Sequence, residues 1–254
     1  VTLSGSGKFA DTMNIALAAG TTLTFNKSEA YAQNGIISGA GTVVKSGNYT
    51  LTLNGAHTGE GQFLHNTGIL NLNGSWAGDY VQATAAGALN VQNIASAAVG
   101  KTATFSGVVD MQDSTVGTVL NVGSTVNLNG ATLKIDIGAN NTSDIIVAGG
   151  TLGDASNRNL KGVDINAWNE GEYKILHTTN MNSWQPDNYT ITISGQGLSQ
   201  RQYAELKVNA NNQDLYLITK LANVQLVWAS DSDSWTITEV NKWNDNGLTS
   251  PANT

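Results

Sequence analysis

Cysteine is absent from this chain, and proline nearly so, with two in 254 residues. Without cysteine there is no disulfide framework and no thiolate metal site. A protein that must cross an oxidising compartment unfolded gains from that lack, because no disulfide can trap it on the way. Charge is also scarce: Asp, Glu, Lys and Arg together make up 12% of the residues, with a net of −7. The negative balance argues against a nucleic-acid binder, which needs a basic face to neutralise phosphates, and against an electrostatic grip on anionic lipid. Disorder does not follow, because 40% of the residues are apolar and they are patterned. No apolar run approaches the roughly 20 residues of a membrane-spanning helix. The opening Val1-Thr2-Leu3-Ser4-Gly5 has no basic region, apolar core or cleavage site, and it starts inside a strand pattern. The closing Thr249-Ser250-Pro251-Ala252-Asn253-Thr254 is no natural stop either, so the expectation is a piece cut from something longer.

What is present is glycine, 28 residues of it, and a repeat. Thr50-Leu51-Thr52-Leu53-Asn54-Gly55 recurs 19 residues later as Ile69-Leu70-Asn71-Leu72-Asn73-Gly74, and 19 later again as Ala88-Leu89-Asn90-Val91-Gln92-Asn93. Each is a short strand with apolar residues two apart, so Leu51 and Leu53, Leu70 and Leu72, and Leu89 and Val91 share one face. Asn54, Asn73 and Gln92 fill one slot. Gly55, Gly74 and Asn93 fill the next, where a sharp corner favours residues that tolerate left-handed backbone. A repeat of about 20 residues suits one coil of a parallel β-helix. Stacking such coils at about 4.8 Å lines identical amides into a hydrogen-bonded ladder.

Upstream, Thr21-Thr22-Leu23-Thr24-Phe25 lies about one coil before Thr42-Val43-Val44. Downstream, the strands at 118–123, 124–130 and 132–138 follow one another so closely that they suit successive sides of one triangular coil. Short strands broken by glycine also fit an antiparallel sandwich or barrel, but a sandwich requires neither equal spacing nor a polar column.

Residues 34–58 keep Gly39, Gly41, Lys45, Gly47, Leu51, Leu53 and Gly55. This stretch resembles the passenger-associated repeat of autotransporters, with Val43 for Leu, His57 for Asn and no Tyr after Thr58. Ser143–Leu152 followed by Gly171–Leu176 and Asp214–Leu217 resembles the C-terminal part of such passengers, where a capping region assists folding. Trp228–Trp235 with Asn241-Lys242-Trp243 resembles the Trp-rich opening of a further passenger unit. The resemblance implies an extracellular protein at a Gram-negative cell surface, tethered to the outer membrane by a barrel that this chain does not contain. The fold expected is all-β: a right-handed parallel β-helix (solenoid) with a C-terminal antiparallel β cap. Coils are expected over 1–150, the autochaperone-like cap over 151–220, and a Trp-rich extension or the start of another unit over 221–254.

Chemistry-bearing residues are few. His57, His65 and His177 lack metal-ligand spacing, neither Gly-Asp-Ser-Gly nor Gly-x-Ser-x-Gly occurs, and nothing in the sequence asks for a cofactor. Asp231-Ser232-Asp233 and Asn140–Asp144 offer oxygen ligands for calcium but match no loop consensus. Asp110 and Asp113 are the best carboxylate pair, with Asp136 and Asp144 second, and solvated loop acids explain all four. Aromatic residues stack on sugar rings, so Trp76, Tyr80, Trp168, Trp184, Trp228, Trp235 and Trp243 are candidate glycan contacts, with burial in the core or cap as the alternative. Trp76, Asp79 and Tyr80 lead, because they flank Gly78 where a loop is expected to leave the solenoid. The leading expectation is a non-enzymatic adhesin or adhesin stalk whose partners are host or mucus glycans and proteins, or passengers on sister cells. A hydrolase of glycans or mucin-type protein using Asp110 and Asp113, and a purely structural folding cap, are the alternatives.

Overall fold

The computed structural model describes residues 1–10, 12–221, 226–228 and 243–245. The alternating strands stack in parallel on three faces and form a β-solenoid of about seven turns. The first face is made of Thr2–Gly5, Thr22–Lys27, Thr42–Lys45, Phe63–His65, Tyr80–Gln82, Ala103–Phe105 and Val126–Leu128, each bonded in parallel to the next. The second face carries Tyr31–Gln33, most of the long strands Thr50–Gly59 and Gly68–Trp76, then Gly87–Asn90, Val108–Asp110, Thr132–Ile135, Gly162–Ile165 and Thr190–Ile193. The third carries Ile15–Leu17, Ile37–Gly39, the ends of the two long strands, Ser96–Val99, Val119–Val122, Ile145–Ala148 and part of Gly171–His177.

The alternation read from the sequence is the alternation of burial. Leu51, Leu70 and Leu89 are paired in register and buried, as are Leu53 and Leu72. Each such leucine contributes about 1.5–3 kcal/mol of burial, and the three faces enclose one continuous core. The amides between them point outward. Asn73 donates from Nδ2 to Asn54 Oδ1 (2.9 Å), and Asn54 to Asn34 Oδ1 (2.6 Å). Two residues earlier in each strand, Asn90 donates to Asn71 Oδ1 (3.2 Å) and Asn71 to Thr52 Oγ1 (3.2 Å). Gln92 does not extend the first ladder: its amide turns to the Gln112 carbonyl (2.8 Å). Gly55 and Asn93 do take left-handed backbone (φ +92° and +58°). Gly74 is there for a different reason, since an added Cβ would fall on the Gly55 carbonyl of the coil below.

Parallel stacking does not stop at residue 150. On the second face the step between stacked residues grows from 19 (Leu51↔Leu70) to 24 (Val109↔Leu133) and 30 (Leu133↔Val163). The last parallel pairing there joins Gly162–Ile165 to Thr190–Ile193, so the strand around Ile191 belongs to a coil and not to the cap. The lengthening defeats a fixed period because the extra residues enter at corners, where short 3₁₀ turns at Ala139–Asn141 and Ala155–Asn157 take them up. The antiparallel cap is narrower than expected. Gly171–His177 pairs in parallel with Ile145–Ala148 on one side and antiparallel with Asp214–Leu221 on the other. Asp214–Leu221 pairs in turn with Gln202–Val208, and Leu206, Leu215 and Leu217 bury against the coil end. Within 221–254, Leu226–Trp228 and Trp243–Asp245 pair antiparallel. The rest of the Trp-rich extension, including Trp235 and the Asp231-Ser232-Asp233 oxygens, lies outside the described residues.

Candidate ligand-binding groove

Trp76 and Tyr80 are not surface aromatics. Each is 1% exposed, and they meet around Phe63: Trp76 edge-on (ring centroids 5.5 Å apart) and Tyr80 stacked (6.0 Å). Gly78 and Asp79 do not lead a loop away from the solenoid. Gly78 packs on the Gly61 carbonyl, and Asp79 Oδ1 accepts the Thr102 N–H (3.0 Å) to tie one coil to the next. The assignment of Trp76, Asp79 and Tyr80 as ligand contacts is therefore corrected: the two rings fill the core and the carboxylate holds a corner. Trp184 is buried as well, and Trp168 packs against the core with its Nε1 unpartnered.

His57 and His65 also face inward. Lys45, His65 and Gln82 stack in register at the corner between the first and second faces, all fully buried. Lys45 Nζ donates to the carbonyls of Gly47 (3.0 Å) and Thr67 (2.7 Å) and lies over the Tyr49 ring. His65 Nε2–H donates to the Gly68 carbonyl (3.0 Å), which leaves Nδ1 to accept the Tyr80 hydroxyl (2.8 Å). Gln82 Nε2 donates to Gly87 and Val108, while its Oε1 accepts from Ser106 and Gly107. Burial lowers Lys45 to about 8 and His65 to about 4, the latter helped by the Lys45 charge. His57, whose Nδ1 accepts the Ile37 N–H (3.0 Å), is lowered by burial to about 4. Only His177 sits at a surface pair, 2.7 Å from Asp214.

The carboxylates are corner fasteners. Asp136, fully buried, accepts the N–H groups of Asp113 (2.8 Å) and Ser114 (2.6 Å) on Oδ2. Asp144, also buried, accepts those of Gly117 and Thr118 on Oδ1 and of Asp136 on Oδ2. Burial raises Asp144 to about 6 against the pull of those three donors. Asp110 pairs with Lys134 (3.4 Å), and Asp113 accepts the backbone N–H of Asn93 and of Thr115. The two acids expected to act together are thus engaged separately. The groove that Asp113 lines holds no second acid and no aromatic ring.

That groove is one of several concave surfaces among the described residues. Asn71, Asn73, Asn90, Gln92, Asn93 and Ile94 line its first part. Asn93 and Ile94 carry it on into a second part of about 460 Å³, beside Asp113, Thr115 and Val116. It opens where the amide ladders end. All four ladder bonds point the same way, with Nδ2 of the later coil donating to the oxygen of the earlier one. At the last coil of each ladder an oxygen is left over. Gln92 turns away from Asn73, and the residue stacked on Asn90 is Asp110, held by Lys134. Among the described residues Asn73 Oδ1, Asn90 Oδ1, Gln92 Oε1 and the Asn93 side chain have no partner. The sequence carried the signal, as a break in the Asn column at Gln92 and Asp110. Its meaning depends on the bond direction, which only coordinates give.

No protein-family model matches the chain, and no curated protein matches it.

Proposed function

We propose that the chain is part of a secreted surface passenger of a Gram-negative bacterium and acts as an adhesin or adhesin stalk. In this reading it is displayed outside the cell by a barrel elsewhere in the parent protein. It meets host surface, mucus glycans and proteins, or passengers on sister cells. The observation that carries the reading is the stacked, amide-laddered coil surface that ends in an open groove with unspent hydrogen-bonding atoms. A solenoid of this kind presents a long, rigid surface, and contacts form where its polar groups remain unsatisfied. The resemblance of residues 34–58 to the passenger-associated repeat supports the secretion route.

Coating beads with the purified chain and flowing them over mucin-coated glass and cultured epithelium tests the proposal. Retention above that of beads carrying an unrelated β-solenoid is the expected result. Absence of retention and of bead–bead clustering would overturn it. Release of mucin fragments that stops in Asp110→Asn or Asp113→Asn would replace it with a hydrolase.

A further inference from the structure

We propose that the groove at the ladder ends takes neutral, hydroxyl-rich carbohydrate and rejects acidic carbohydrate, an inference that rests on the adhesin reading above. The groove presents three amide oxygens without partners, Asn73 Oδ1, Asn90 Oδ1 and Gln92 Oε1, beside the unpartnered Asn93 amide and, in the adjoining part, the Asp113 carboxylate. Three free amide oxygens, two of them at the ladder ends and one on Gln92, ask for a ligand that brings several donors at close spacing, and vicinal hydroxyls do so. Half-buried Ile94 and Val116 give the groove an apolar floor, against which the C–H face of a pyranose packs. Asp113 adds a negative charge in a chain that is already acidic. A sialic acid or sulfate placed there meets like charge, and no groove-lining Lys or Arg offsets it. With no aromatic platform in the groove, a single site binds weakly, and repeated display is what makes binding useful.

The decisive measurement is binding of the whole chain to an array of immobilised oligosaccharides. Neutral galactose-, glucose- and N-acetylglucosamine-terminated members are compared with matched sialylated and sulfated ones. Neutral members are expected to bind at least 10-fold better than their acidic partners. Asn90→Leu and Asn93→Gly should each weaken that binding at least 5-fold. Glycine keeps the left-handed backbone of Asn93, so this variant removes the side chain without strain. Asn127→Ala, on the first face, removes an amide bond to Thr104 and serves as the control with unchanged binding. Asp113→Asn should narrow the gap between neutral and acidic members. Thermal melts of every variant separate loss of the groove from loss of the fold. Equal binding of acidic and neutral members, or binding untouched by Asn90→Leu and Asn93→Gly, would overturn the proposal. A silent array with beads still retained on mucin or cells would sink the carbohydrate inference and leave the adhesin reading standing. A silent array with no retention would remove both.

Discussion

The coils before residue 100 and those after it wind the same three faces, but buried donors predominate at the corners of the first and buried carboxylate acceptors at those of the second. In the earlier coils, buried donors reach outward to orphan carbonyls: Lys45 to Gly47 and Thr67, His65 to Gly68, Gln82 to Gly87. In the later coils, buried carboxylates collect backbone N–H groups: Asp136 from Asp113 and Ser114, Asp144 from Gly117, Thr118 and Asp136. The interiors differ in step. Phe25, Phe63, Trp76 and Tyr80 fill the earlier part, whereas Leu133, Ile135, Ile146, Val163 and Ile165 fill the later one. A solenoid corner therefore needs its backbone groups satisfied, and either partner in the bond can be supplied by the side chain. The choice decides how each region answers to pH.

Removing the central ring should have the largest effect. Trp76→Ala is expected to cost about 3–5 kcal/mol in denaturant unfolding, and the variant should retain glycan binding under conditions where it is folded. A small loss would mean that the earlier coils do not depend on their aromatic stack.

Next comes acidification. His57 and His65 have folded values near 4, below the ordinary 6.5. Their contribution is complete above about 6.5 and is lost as pH falls toward 4, by up to about 3 kcal/mol each. Asp144, raised to about 6, runs the other way: its burial cost is present above pH 6 and fades as pH falls toward its ordinary value. Hydrogen exchange at pH 7 and pH 5 should show protection falling around residues 57–68 while residues 117–145 hold theirs. Parallel losses in both regions would break the comparison.

Asp136→Ala strips the acceptor from the N–H groups of Asp113 and Ser114, and about 1.5–3 kcal/mol of stability should go with it, read from the melting transition. The smallest effect belongs to Asn54→Ala. It removes two ladder bonds, but both are exposed and water replaces them, so the loss should not exceed the about 0.5–1.5 kcal/mol of a single net bond. A loss as large as that of Asp136→Ala would promote the outer ladder from a trim to a main support.

How much of this was legible follows residue by residue. The Leu51, Leu70 and Leu89 column and the Asn54–Asn73 ladder were readable because stacked coils of equal length place like side chains at a fixed spacing. The later coils blurred because corner insertions changed the spacing while leaving each strand intact. Trp76 and Tyr80 misled because a Gly-Asp pair between aromatics reads as a loop, and nothing local says that Gly78 lies against Gly61 one coil below. In the sequence His65 showed only a lack of metal-ligand spacing, and Lys45 only a place in the repeat at 34–58. Only the register Lys45↔His65↔Gln82 reveals a buried column.

The sequence by itself determined the all-β class, the parallel coil and its outward amides, because strand alternation and repeat length are local or near-periodic properties of the chain. Tertiary structure alone decided which polar side chains turn inward and where the ladders end. It also left the groove atoms unspent. Those outcomes depend on what the neighbouring coil presents a few ångströms away, and residues 15–52 positions apart in the chain supply it.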